Sequence, residues 1–261
     1  MKKLLSTILL GFIGISLSSC TSYGIYDDAD KYLVGNQTYN ENITSLDIDW
    51  VSGTLTIVED ETITGVKIEE ETNLTNEKEL VHSYLDNGEL KIKFFASGYS
   101  KFGFGSFKKN LTLTYHPGFT DIKIDLTSGT FNANSLTADK VDVDLTSGSA
   151  NIDTITANEV DVDFTSGRAT INHINANEFD SDMTSGSMTV AFDKVNKASF
   201  DLTSGSIDMT LPSDGGTVKV NKTSGRVNAI RECTISNNIY KFGEGSADID
   251  VGMTSGKLKI R

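Results

Sequence analysis

The chain has 261 residues, and 23 Lys and Arg against 36 Asp and Glu give a formal charge of −13. So acidic a chain lacks the clustered basic residues that bind a phosphate backbone through counterion release, and no nucleic-acid partner is expected. A hydrophobic content of 38% is enough for a buried core, while 2 Cys cannot build a disulfide framework.

Residues 1–19 read as a lipoprotein signal peptide. Lys2 and Lys3 form a positive start, Leu4 to Leu17 an apolar stretch too short to span a bilayer, and Leu17-Ser18-Ser19-Cys20 closes it. A Cys behind small residues at the cleavage point resembles the lipobox of bacterial lipoproteins. The resemblance implies cleavage before Cys20 and acylation of that residue, with the protein held in the cell envelope by its lipid. Each buried CH₂ contributes about 0.8 kcal/mol, so two or three acyl chains suffice without a transmembrane helix.

Residues 20–40, rich in Tyr, Asp, Asn and Gly without apolar periodicity, are expected to be a tether. Tyr23, Tyr26 and Tyr32 leave open the alternative that this segment packs on the first strands.

Residues 41–120 are predicted to be an N-terminal β region. Leu46 to Ile57 alternates apolar and polar residues around Ser52-Gly53, with Trp50 before the corner, and Asp86-Asn87-Gly88-Glu89 between two alternating runs is a hairpin signal. Leu111 to Tyr115 supplies another strand. Between them runs a glycine-rich loop carrying Tyr99, Lys101, Phe102, Phe104, Phe107, Lys108 and Lys109. Aromatic faces with Lys suit a sugar ring, an anionic lipid or a partner protein. The alternative is a long hairpin loop whose rings fold onto the core.

Residues 121–261 are organised by a repeat. Thr-Ser-Gly recurs with its glycine at Gly129, Gly148, Gly167, Gly186 and Gly205, always 19 residues apart, then at Gly225 and Gly256. Within each unit the apolar residues alternate, as in Val160, Val162 and Phe164 against Asp161 and Asp163, which is the period of a strand. One such unit cannot bury its apolar face, but stacked units share a continuous core. The predicted fold is therefore all-β, a right-handed parallel β-solenoid (β-helix) of ~19-residue coils, capped by the N-terminal β region. The interval of 31 residues between Gly225 and Gly256 is read as one degenerate coil cornering at Gly245, then a short final turn. The closing strand Lys257 to Arg261 is expected on the exposed edge, where positive charge discourages pairing, and end-to-end self-association there stays open.

Stacking in register aligns Asp125, Asp144, Asp163, Asp182 and Asp201 in one column and Asp142, Asp161 and Asp180 in another. Like charges about 5 Å apart repel by roughly 0.8 kcal/mol per pair in a water-like dielectric, which invites a counter-ion. Asp142, Asp144, Asp161, Asp163, Asp180 and Asp182 are thus candidates for a Ca²⁺ ladder, against the simpler reading of a solvated acidic face. No other cofactor is expected.

The lead-in strands, the tandem Asp-Leu-Thr-Ser-Gly units and the closing Phe242-Gly243-Glu244-Gly245-Ser246 and Met253-Thr254-Ser255-Gly256-Lys257 resemble the bacterial "putative adhesin" β-strand-repeat family, a family without assigned function. The resemblance spans residues 41–261 and implies an interaction scaffold that meets a protein or polysaccharide surface. A catalytic reading has little to stand on. A serine repeated seven times has no unique base, with His82, His116 and His173 in different segments, and Arg168, Arg226 and Arg231 do not cluster with one acid. The expectation is a non-enzyme, with a regulatory lipoprotein that binds a protein partner as the alternative and a carbohydrate-active β-helix enzyme behind it. Cys233, the second Cys, sits in a strand-like segment and is expected to be buried.

Overall fold

The computed structural model describes residues 20–102 and 107–261, with the backbone alone for residues 20–22 and 101–102. These are strands and turns, with two one-turn 3₁₀ segments at Ala29–Lys31 and Glu77–Glu79. The proposed signal peptide lies outside the described residues.

The alternation read from sequence sets the side-chain directions. In Lys140–Leu145 the residues Val141, Val143 and Leu145 are buried and Asp142 and Asp144 half-exposed. A corner at Thr146-Ser147-Gly148 follows, and the chain re-enters a strand at Ser149. Each repeat then lies parallel to the previous one in a register of 19, Val141 beside Val160 and Ile152 beside Ile171. The fold is a parallel β-solenoid.

Eight coils stack among the described residues, and their spatial order departs from chain order. Coil 1 is Ser45–Trp50 with Thr54–Glu59, and coil 2, Asp121–Leu126 with Thr130–Thr137, lies directly on it. Coils 3 to 5 follow through Lys140–Leu145, Ser149–Phe164, Arg168–Met183 and Ser187–Lys194. Coil 6 is Lys197–Leu202 with Ser206–Thr210. Coil 7 is the end of the chain, Ala247–Met253 with Lys257–Ile260, and coil 8 is the earlier segment Gly215–Lys222 with Arg226–Ala229. The expected edge position of Lys257 to Arg261 is therefore corrected. After coil 8 the chain reverses through the antiparallel pair Thr234–Ser236 and Ile239–Gly243 and slots its last coil between coils 6 and 8. Ion pairs hold the slot: Asp208 of coil 6 meets Lys259 at 2.9 Å and Arg261 at 2.8 Å, and Lys219 of coil 8 meets Asp248 at 2.8 Å.

The Thr-Ser-Gly corners show why glycine recurs. At Gly167, φ is +133° and a Cβ would lie 2.4 Å from the carbonyl oxygen of Gly148 in the coil below. The ladder continues through the corner, with the Ser147 N–H donating to Thr127 O at 2.9 Å and the Ser166 N–H to Thr146 O at 3.0 Å. Backbone amides are thus satisfied where the chain turns.

The core runs the length of the stack, each fully buried Leu, Ile or Phe contributing about 1.5–3 kcal/mol. Phe179, Phe192 and Phe200 pack together in coils 5 and 6, with Phe179 to Phe200 at 5.3 Å. Ser181 occupies an inward position that the alternation reserves for an apolar residue. Its hydroxyl donates to Val162 O at 2.6 Å, which satisfies it.

The N-terminal strands close one end. Lys109–Tyr115 lies parallel to Thr54–Glu59 and antiparallel to Val66–Thr72, and Glu89–Lys93 lies on Ser45–Trp50, antiparallel to His82–Asp86. Residues 45–59 thus belong to the stack itself. The segment expected to be a tether packs on this end: Tyr23, Tyr32 and Tyr39 are buried, and Tyr23 Oη donates to Asp49 Oδ2 at 2.8 Å. Its tyrosines outweigh its lack of periodicity, since each buries a large ring, and the hydroxyls of Tyr23 and Tyr39 find Asp49 and Ser83.

Candidate binding face

One face of the solenoid carries the aspartates. Register pairing aligns Lys93, Asp49, Asp125, Asp144, Asp163, Asp182, Asp201 and Gly252 in one column, and Lys91, Asp47, Lys123, Asp142, Asp161, Asp180, Ser199, Asp250 and Lys219 in the next. Both ends are charge-balanced. Lys93 lies 3.2 Å from Asp47, Lys123 lies 3.3 Å from Asp125, and Lys219 pairs with Asp248. The middle, from Asp142 and Asp144 to Asp180 and Asp182, has no lysine in either column.

The carboxyl groups register this crowding. Burial against the sheet pushes Asp161 up to about 7, helped by the charges of Asp163, Asp142 and Asp180. Burial and then the neighbouring Asp142 and Asp125 push Asp144 up to about 6. Asp163 also rises to about 6 through burial, although the Asp182 N–H donating to its Oδ1 at 2.6 Å opposes the rise. Asp142 and Asp182 are raised by burial as well.

Beside the first Asp column runs an open groove of about 810 Å³. Asp125, Asp144, Asp163, Asp182 and Asp201 line it, with the corner threonines Thr146, Thr165, Thr184, Thr203, Thr223 and Thr254. The inserted coil continues the groove into a second hollow of about 370 Å³ that shares Asp201, Asn221 and Gly252. The groove therefore presents a carboxylate and a hydroxyl per coil over much of the stack, and sequence reasoning found the aspartates but not the concavity. It also missed the asparagine ladder at another corner, where Asn177 donates to Asn158 at 3.0 Å and Asn196 to Asn177 at 3.1 Å. The same 19-residue spacing was its signal.

The structure does not gather the six candidate Ca²⁺ ligands into a cage. Among the described residues no three Asp, Glu, His or Cys side chains converge to hold a metal ion. Side chains on a flat sheet leave it in parallel, about 4.8 Å apart between coils and nearly 7 Å apart along a strand, whereas Ca²⁺ needs its oxygens within 2.6 Å.

The candidate contact loop divides. Tyr99 donates its hydroxyl to Glu79 Oε1 at 2.9 Å, and Phe107 is half-buried against Phe94 and Phe95. Lys108 is exposed and pairs with Glu71. Lys109, expected on the surface, is fully buried under Trp50, Phe94 and Phe95, which corrects that expectation. Lys109 opens the strand Lys109–Tyr115, whose odd positions face inward, while Lys108 just before it is exposed. Phe104 lies outside the described residues. Lys101 and Phe102 belong to Ser100–Phe102, which pairs antiparallel with Cys20–Ser22, Cys20 opposite Phe102. Cys233 is partly buried at the far end, near the exposed Ile230, Ile235 and Ile239. His173 lies 3.0 Å from Asp193, His82 is buried, and Arg231 donates to Pro212 O and Ser213 O. None of these meets the aspartate face.

Comparison with solved structures finds similar chains that cover nearly all of this one. A "putative cell adhesion protein" from Clostridium sporogenes ATCC 15579 is 19% identical, covering 88% of this chain and 99% of its own, at a TM-score of 0.42. Two proteins described as "putative adhesin", from Parabacteroides distasonis ATCC 8503 and Bacteroides fragilis NCTC 9343, are each 12% identical. They cover 93% and 88% of this chain and 97% of their own, at TM-scores of 0.48 and 0.49. No curated protein matches the chain. The family described as Toastrack DUF4097 matches residues 75–261, most of the chain, and this protein belongs to it.

Proposed function

We propose that this is a lipid-anchored, non-enzymatic protein of the bacterial cell envelope whose solenoid acts as an adhesin-like scaffold, with the acidic groove as its contact surface. The groove carries the reading. It repeats one carboxylate and one hydroxyl from coil to coil, where an active site would gather a few unique groups. Such a lining suits an extended cationic partner, a basic protein segment or an amine-bearing polysaccharide, recognised by charge and hydroxyl contacts at a fixed spacing.

The anchor fits this arrangement. Cys20 would carry the acyl groups, and pairing of Cys20–Ser22 with Ser100–Phe102 keeps the Lys and Phe loop beside it, so the capped end would face the bilayer. No helix among the described residues is long and apolar enough to cross a membrane. The exposed Ile230, Ile235 and Ile239 at the far end favour the second reading, a regulatory lipoprotein that docks a protein partner there.

Calorimetric titration with oligolysine tests the groove. Weak binding, in the millimolar range, that weakens steeply between about 50 and 300 mM salt and is lost in Asp144→Asn/Asp163→Asn/Asp182→Asn, is expected from about three charge pairs at up to about 1 kcal/mol each. Equal binding by the triple variant would place the contact elsewhere.

A further inference from the structure

We infer that Lys109 and Glu70 become joined by an intramolecular amide bond between Lys109 Nζ and Glu70 Cδ. Both side chains are removed from water, at 0% and 2% exposure, on neighbouring antiparallel strands of the capped end. Nζ donates to Glu70 Oε1 and, at 2.7 Å, to the main-chain oxygen of Glu79. The rings of Trp50, Phe94 and Phe95 close over it, with centroids 5.1, 4.8 and 5.3 Å away. The Val81 N–H donates to the other carboxylate oxygen, Oε2, at 3.0 Å.

Each element of an acyl transfer is present. A buried lysine is a nucleophile once it loses its proton, and an apolar enclosure favours that loss. Burial, opposed by the charge of Glu70, holds this amine at about 8, below the usual lysine range, so the proton is less tightly held than on an exposed lysine. One proton passes from Nζ to Oε1, giving a neutral amine and a neutral acid. The lone pair on Nζ then attacks Cδ while Val81 N–H holds Oε2 as charge develops on it. The Cδ–Oε1 bond breaks, Oε1 takes the second Nζ proton, and it leaves as water. An ammonium and a carboxylate thus become an amide and one water, with no oxidant or further reactant.

The enclosure also favours the product. In bulk water the separate ions are stabilised by hydration and water at high concentration reverses the reaction, but here the ions are already dehydrated. Effective molarities of about 10⁵ M or more are reached by groups held in contact. The bond would staple Val66–Thr72 to Lys109–Tyr115 and close the loop between residues 70 and 109, strengthening the end that we assign to the anchor.

Peptide mapping of the full chain, unfolded and digested with trypsin, tests this directly. The expected product is a branched peptide joining residues 68–78 to residues 109–123, lighter by one water than its two linear parts, with no cleavage after Lys109. Linear peptides beginning at Asn110, with residues 68–78 unmodified, would overturn the proposal. Glu70→Gln should give the same branched product by loss of ammonia. Glu70→Ala should give only linear peptides, and a branched product from it would also overturn the assignment.

Discussion

Asp161→Asn is the substitution whose effect follows most directly from the stacked aspartates. Asp161 sits between Asp142 and Asp180 in its column and two residues from Asp163 on its own strand. At about 4.8 Å in a water-like dielectric each column neighbour repels it by about 0.9 kcal/mol, and Asp163, about 7 Å away, by about 0.6 kcal/mol. Removing that charge should stabilise the fold by roughly 2 kcal/mol at low salt and by about half as much at physiological ionic strength. For a chain of this size the low-salt gain is a rise in Tm of about 4 to 8 °C. The pH dependence has a definite sign. The Asp161 carboxyl is raised from 3.8 to about 7, so the folded chain binds more protons than the unfolded chain between those values. Wild-type stability therefore falls as pH rises through that window and is highest below it, and the advantage of Asp161→Asn should be present at pH 8 and vanish near pH 4. Thermal unfolding followed by circular dichroism at pH 4, 6 and 8, at two salt concentrations, measures this. A variant less stable than wild type at pH 8, or a gain indifferent to pH and salt, would refute the repulsion argument.

Gly167→Ala, which sets a Cβ against the Gly148 carbonyl at φ +133°, should cost about 3 kcal/mol and lower Tm accordingly; an unchanged Tm would contradict the corner geometry. Cys20→Ser should abolish labelling by radioactive palmitate and shift the protein from the membrane to the soluble fraction, and retention in the membrane would exclude the lipid anchor. Deleting residues 247–261 should leave coils 6 and 8 with unpaired edges and give aggregation or rapid proteolysis of residues 211–246, whereas a monomeric, protease-resistant product would contradict the inserted coil.

The architecture was legible because the solenoid repeats its physics. A glycine every 19 residues and a period of two between glycines dictate corner, strand and inward face together, and the columns of Asp144, Asp163 and Asp182 follow from that register. Coil order was not legible. The segments 215–229 and 247–260 share the Thr-Ser-Gly corner and much of the alternation, with Lys222 standing where the other has Met253, and both can stack on a coil through the same ladder. The choice rests on pairs such as Asp208 with Lys259, which are local in space and 51 residues apart in sequence. The fate of Lys109 was hidden for a similar reason. Lys108-Lys109 reads as surface charge until the strand alternation is tied to Trp50, Phe94, Phe95 and Glu70, all distant in sequence. Stacking brings the aspartates near one another without turning them toward a common point, so among the described residues no three such side chains form a cluster that could hold a metal ion.

If the acidic groove makes the contact, surface charge on a partner should decide adherence. Adherence of intact cells to amine-bearing and neutral surfaces, comparing wild type with Asp144→Asn/Asp163→Asn/Asp182→Asn at matched surface levels, tests it most directly. Salt-sensitive adherence to the amine surface by wild type alone is the expected result. Equal adherence by the two, or an equal preference for the neutral surface, would contradict it.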